Sequence, residues 1–155
     1  MSKGRALLAV ILGLALNMLL GFASIALAWA IFGPEGAFQG ETTVASSAWS
    51  GFGCGAGLIV GAIAGCVTSV VAQKASRLPV IVLAGLLLVI GLGSAVMQLD
   101  VEPRPLPAGK SVADLTFFEA GEVATSPTWY SFAAPGIVAL GVLMGGRVLC
   151  CVRRK

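Results

Sequence analysis

The sequence predicts an all-α, polytopic membrane protein: an antiparallel bundle of four transmembrane helices with both termini in the cytoplasm. Three observations carry that expectation. The 155 residues are 57% hydrophobic and only 11% charged, with a mean hydropathy of +0.97, far above the apolar share of an average soluble domain. The ten basic and seven acidic residues fall almost entirely between or beside long uncharged stretches, as they do in chains that cross a bilayer. Basic and acidic connections also segregate from one another along the chain, which short loops do when Lys and Arg hold one side of a membrane.

A single transmembrane domain, 1–155, accounts for the whole sequence, with helices at approximately 6–32, 49–73, 78–99 and 127–149. Each run is long enough to cross a hydrocarbon core of roughly 30 Å. None contains an acidic residue, and none shows the polar stripe of a soluble amphipathic helix. The first run begins after Lys3 and Arg5 and contains Ala26-Leu27-Ala28, which imitates a secretory signal and its cleavage site. Its apolar stretch is much longer than the 7 to 15 or so residues of a signal core, so a retained span is expected. Gly33-Pro34-Glu35-Gly36 ends it sharply, and Ser46 or Ser47 is placed to cap the second helix.

The second helix carries Gly53, Gly57, Gly61 and Gly65 at four-residue spacing, with Ser69 continuing the series and Gly51 and Gly55 beside it. Such positions share one slowly rotating face, and the missing Cβ atoms leave a groove for another backbone. In lipid the hydrophobic effect does not drive helices together, so close van der Waals packing of this kind is the main attraction. Two partners are available. Within the chain, the first helix offers Ala9, Gly13, Asn17 and Gly21 at the same spacing, and the fourth offers Gly141 and Gly145. Alternatively, the ladder meets another chain. Asn17, the one strongly polar side chain deep in a span, reads either as a hydrogen bond between helices or as a contact for a ligand or solute. Thr68 and Ser69 can return their hydroxyls to the preceding turn.

The link 73–79 is short, so the second and third helices are expected as antiparallel neighbours. The outer segment 100–126 opens on Glu102-Pro103-Arg104-Pro105-Leu106-Pro107, whose alternating prolines favour an extended, stiff course. Ser111 and Asp114 have capping-box spacing ahead of Leu115, Phe117 and Phe118, which suggests either a short surface helix or an irregular loop with its aromatics tucked down. Those three apolar residues are the expected docking contacts for a partner; alternatively, Phe117 and Phe118 anchor the segment in the lipid interface or cover the bundle. Ser126-Pro127 starts the fourth helix, and Pro135 is placed to kink it.

Lys3, Arg5, Lys74, Arg77, Arg147, Arg153, Arg154 and Lys155 lie on the connections assigned to the cytoplasm, whereas all seven acids lie on the outer ones. Trp29, Trp49, Trp129 and Tyr130 fall at the outer helix ends, where interfacial anchors belong. The net charge of +3 then reports orientation in a plasma membrane, the inner membrane of a bacterium, and does not point to nucleic acid.

The chain contains no histidine, which removes the usual haem ligand, the commonest zinc ligand and the usual nucleophile-activating base. No carboxylate lies within a span, so proton coupling by an intramembrane acid has no candidate. Gly51-Phe52-Gly53 neither follows a strand nor opens onto a phosphate site. Cys54 and Cys66 stand about 18 Å apart along one helix and cannot pair. Cys150 and Cys151 end the last helix, open to acylation but more simply inert thiols. No catalytic residue, metal site or cofactor is therefore expected, and no enzymatic activity.

Trp49 with the following glycine ladder, Pro127-Thr128-Trp129-Tyr130 and Gly145-Gly146-Arg147 together resemble uncharacterised small four-helix membrane proteins of bacteria. That resemblance implies a fold without an activity, and relative to it the segment 100–122 looks like an insertion on the outer face. Two functions are compatible with these features. One is a non-catalytic membrane subunit or scaffold that packs through glycine-rich helix faces against a larger complex, with lipids at its helix grooves. The other is a small oligomeric channel or transporter, self-associated, with Asn17 and the glycine groove lining a path.

Overall fold

The computed structural model describes residues 3–72, 77–99, 104–107 and 109–152, the side chains of Lys3 and of 148–152 being left aside. It contains α1 (Lys3–Ala37), α2 (Ser47–Val71), α3 (Leu78–Met97), a 3-10 turn at Val112–Asp114, α4 (Phe117–Val123) and α5 (Thr128–Val152). Four of these, α1, α2, α3 and α5, are long and apolar enough to cross a membrane. Glycine disfavours helix in water, yet α2 stays helical through its whole glycine ladder. Within hydrocarbon, helix is what satisfies every backbone group internally, and that requirement outweighs propensity.

The ends differ from the sequence expectation by a few residues. Gly33 adopts φ 64° and ψ −176°, a left-handed conformation that breaks α1, but one further turn follows it through Pro34 to Ala37. A side chain at position 33 would be strained. Ser46 caps α2, its Oγ accepting from the Trp49 backbone N–H at 3.1 Å and donating to the Gly36 carbonyl at 2.6 Å. One hydroxyl thus joins the end of α1 to the start of α2. Pro127 stands just ahead of α5, its carbonyl accepting from Tyr130 and Ser131.

Among the long helices the most extensive contact is between α2 and α5, followed by α1 with α2 and α3 with α5. The expected neighbours α2 and α3 touch over only a short stretch. The reason is that α5, not α3, carries the small residues that match α2. A core of Ala64, Val80, Leu83, Ala84, Ala139 and Val142 fills the space among α2, α3 and α5. On α3, Gly91 admits the ring of Pro135, since a Cβ there would lie 2.6 Å from the Pro135 Cβ. Pro135 is thereby seated in its neighbour, and α5 continues through it from Thr128 to Val152.

A second core lies beyond the C-terminus of α1 and the N-terminus of α2. Ala37, Phe38, Val112, Leu115, Ala120 and Val123 are buried together, with Trp29, Trp49 and Leu106 against them. The α1–α2 connection closes on itself where Phe38 bridges Ala45, and it is stitched to the segment before α5 where Val44 bridges Thr125. The Ala45 N–H donates to the Thr125 carbonyl at 2.9 Å, and the Thr125 N–H to the Thr43 carbonyl at 2.8 Å. These bonds set the starts of α2 and α5 side by side.

Candidate functional site

The glycines of α2 face those of α5 reciprocally. A Cβ on Gly61 would strike the Val138 carbonyl oxygen, and one on Gly65 would strike that of Val142. From the other side, a Cβ on Gly141 would strike the Leu58 carbonyl oxygen, and one on Gly145 that of Ala62. Residue numbers rise together along both helices, so α2 and α5 run in the same direction. Their register is the one set outside by Ala45 and Thr125. Each glycine Cα–H therefore points at a carbonyl oxygen, a weak contact worth about 0.5–1 kcal/mol that recurs where helices meet closely. The Cys66 thiol adds a bond to the Gly145 carbonyl at 3.1 Å.

The upper rungs are looser. Gly57 meets only the Val138 side chain, at 3.1 Å from its Cγ2, and Gly53 faces the Tyr130 hydroxyl. Ser69 is buried near the C-terminal end of α2. Gly13 of α1 packs on Thr68 and Leu83, while the Thr68 hydroxyl donates to the Ala64 carbonyl at 2.8 Å. Gly21 is different: a Cβ there meets nothing within 4 Å. It is not in a close approach, although its spacing suggests one. Gly51 and Gly55 also face open space and lie exposed on α2.

Gly21 opens onto a cavity of about 180 Å³ among α1, α2 and α5. Helices α1 and α5 do not approach each other closely, and the small residues Gly53, Ala56 and Gly57 leave the space between them unfilled. Trp49, Phe52 and Tyr130 line it near the starts of α2 and α5, with Asn17, Val60 and Val138 toward the middle of the helices. The Asn17 Oδ1 atom is buried without a hydrogen-bond partner among the described residues. The Ser24 hydroxyl is satisfied, donating to the Leu20 carbonyl at 2.8 Å.

The segment before α5 places the three expected docking residues differently from one another. Leu115 is 4% exposed and belongs to the outer core. Phe117 is half-buried, its ring 6.0 Å from Phe22 and 5.9 Å from Trp29 in edge-on contacts. Phe118 alone is presented outward, at 78% exposure. A pair of capping boxes shapes the segment locally, while Leu115 and Phe117 seat it against α1. Ser111 with Asp114 closes the 3-10 turn, and Thr116 with Glu119 starts α4. Sequence reading found the first box. The second was legible in the Thr116 to Glu119 spacing and was missed. Glu119 also pairs with Lys110, which holds its carboxyl down at about 2, and the Ser111 hydroxyl and N–H lower that of Asp114.

Of the aromatic anchors, Trp29 and Trp49 pack edge to face at 6.4 Å and lean on the outer core. Trp129 is exposed and stacks edge-on with Tyr130 at 5.8 Å. Pro103 and Lys74 lie outside the described residues, as do the side chains of Cys150 and Cys151. No family model matches the chain, and no curated protein and no solved structure matches it.

Proposed function

We propose that this chain is a non-catalytic subunit or scaffold of a larger complex in the plasma membrane of a bacterium, inserted as an antiparallel four-helix bundle with both termini cytoplasmic. The observation that carries this reading is the division of the α2 glycines into two sets. Gly61 and Gly65 are occupied by α5 inside the chain, whereas Gly51 and Gly55 sit one turn apart on an exposed face with nothing against them. The first set makes a stiff internal pair. The second is a small-xxx-small face open to a helix of another subunit, the geometry by which membrane helices associate. Ile59 and Ile63, both exposed, flank that surface.

The test is purification in mild detergent followed by native mass spectrometry of the wild type, Gly55→Leu and Gly61→Leu. A stoichiometric set of other proteins is expected with the wild type and lost with Gly55→Leu, whose fold persists because open space surrounds the site. Gly61→Leu is expected to damage the fold itself. A lone homo-oligomer that passes solute after reconstitution would instead establish the channel.

A further inference from the structure

We propose that the cavity among α1, α2 and α5 is a binding site for a membrane-dissolved molecule with a hydroxyl-bearing aromatic ring, of the phenol or quinol class. Three independent features define the occupant. The first is size: an apolar cavity of about 150 Å³ takes up benzene, so the space of about 180 Å³ here suits one ring with a polar substituent. The second is the wall, in which Trp49, Phe52 and Tyr130 offer ring faces and edges of the kind that aromatic rings pack against.

The third is Asn17. Its carbonyl oxygen is buried and meets no donor among the described residues. An unmade hydrogen bond of this kind costs about 1–3 kcal/mol. Asn17 lines the cavity, and rotation about its last side-chain torsion aims the oxygen at an occupant. An acyl chain has no donor to give it, whereas a ring hydroxyl does. The gap between α1 and α5 gives such a molecule its way in from the lipid. Gly21 fits the same reading, since its missing Cβ serves no helix contact and only enlarges the space. This site stands independently of any partner at Gly51 and Gly55.

The experiment uses the full chain in lipid nanodiscs and fluorine NMR of 4-(trifluoromethyl)phenol, with trifluoromethylbenzene as the matched probe lacking the hydroxyl. The phenol is expected to give a saturable bound resonance, and the hydrocarbon to bind about tenfold more weakly or not at all. Asn17→Leu should weaken the phenol about tenfold, the loss of roughly one hydrogen bond, and erase the difference between the probes. Gly21→Leu should abolish the resonance by filling the cavity. Should that variant fail to fold, Gly21→Ala adds a single methyl where nothing is in the way and should weaken binding about tenfold. No saturable resonance, equal affinity for both probes, or a resonance unchanged in a folded Gly21 variant would each overturn the proposal. An amide already satisfied by ordered water would appear as the first or second of these outcomes.

Discussion

Gly65 and Val142 touch through their backbones: a Cβ built on Gly65 would stand 2.9 Å from the Val142 Cα and closer still to its carbonyl. The Ala62 and Gly145 pair repeats the relationship with the helices exchanged. Neither helix can retreat without losing the contacts on both sides. The obstacle in each case is main chain, so no side-chain rotation relieves it.

Gly65→Ala and Gly145→Ala should therefore each destabilise the protein by about 1–3 kcal/mol, the usual scale of overpacking. Gly21→Ala should be neutral or stabilising, since it relieves the helix penalty of glycine and meets no neighbour. Unfolding titrations in mixed micelles of mild and denaturing detergent measure both. Equal effects at the three positions would mean that α2 and α5 do not share this seam.

How far this was legible in the sequence depends on the residue. The spacing of Gly53, Gly57, Gly61 and Gly65 showed a contact face, because the four-residue period of a helix is a local property. It did not show that the upper half of the ladder, with Gly53 opposite Tyr130 and Gly57 opposite a Val138 side chain, packs less closely than the lower half. Nor did spacing separate Gly13, which is packed, from Gly21, which is open. That difference arises from the distance between α1 and α5, a property of three helices together. The burial of Leu115 was not legible for a similar reason. An apolar residue in an acidic loop looks exposed until the loop is known to fold back, and here Leu115 and Phe117 seat it against α1.

Orientation is testable directly. The acidic connections carry Glu35, Glu41, Asp114, Glu119 and Glu122, while Arg5, Arg77 and Arg147 lie on the opposite connections or ends. Short basic segments stay in the cytoplasm. Reporter fusions after Lys155 and within 104–109 should give opposite locations. The same location for both would remove the four-span, both-termini-inside arrangement.

The outer segment should loosen in acid. Glu119 has its carboxyl lowered from 4.5 to about 2, chiefly by the Lys110 ammonium and then by Thr116, and Asp114 is lowered by Ser111. A depressed folded-state pKa contributes stability that is present above the unfolded value and is lost as pH falls through the folded one. The window therefore runs from about pH 4.5 down to about 2. Both carboxyls are solvent-exposed and their contribution is correspondingly small. Amide exchange at Thr116 and Glu119, corrected for its intrinsic pH dependence, should speed up across that window. In Glu119→Gln the change at these two amides should be largely absent. An unaltered profile in that variant would show that the carboxylate does not hold the cap.

The last prediction concerns Phe118, the most exposed residue of the expected docking trio. Its neighbour Phe117 lies on the flank of α1, in contact with both Phe22 and Trp29, below the break at Gly33. Phe117 and Phe118 are themselves 5.5 Å apart in an edge-on pair. In the proposed insertion the start of α4 lies at the level where aromatic rings favour the boundary between water and lipid, and an exposed ring at that level finds apolar surroundings without a protein partner. Phe118 is expected to dip into the outer leaflet and act as an anchor. A nitroxide on Phe118→Cys, in a variant whose native cysteines are replaced, should collide more readily with dissolved oxygen than with a water-soluble nickel chelate. Phe118→Ser should leave co-purifying proteins in place while weakening the hold of α4 on the membrane. Loss of those proteins from a folded Phe118→Ser variant, with the spin label reporting water rather than lipid, would assign the residue to a protein interface instead.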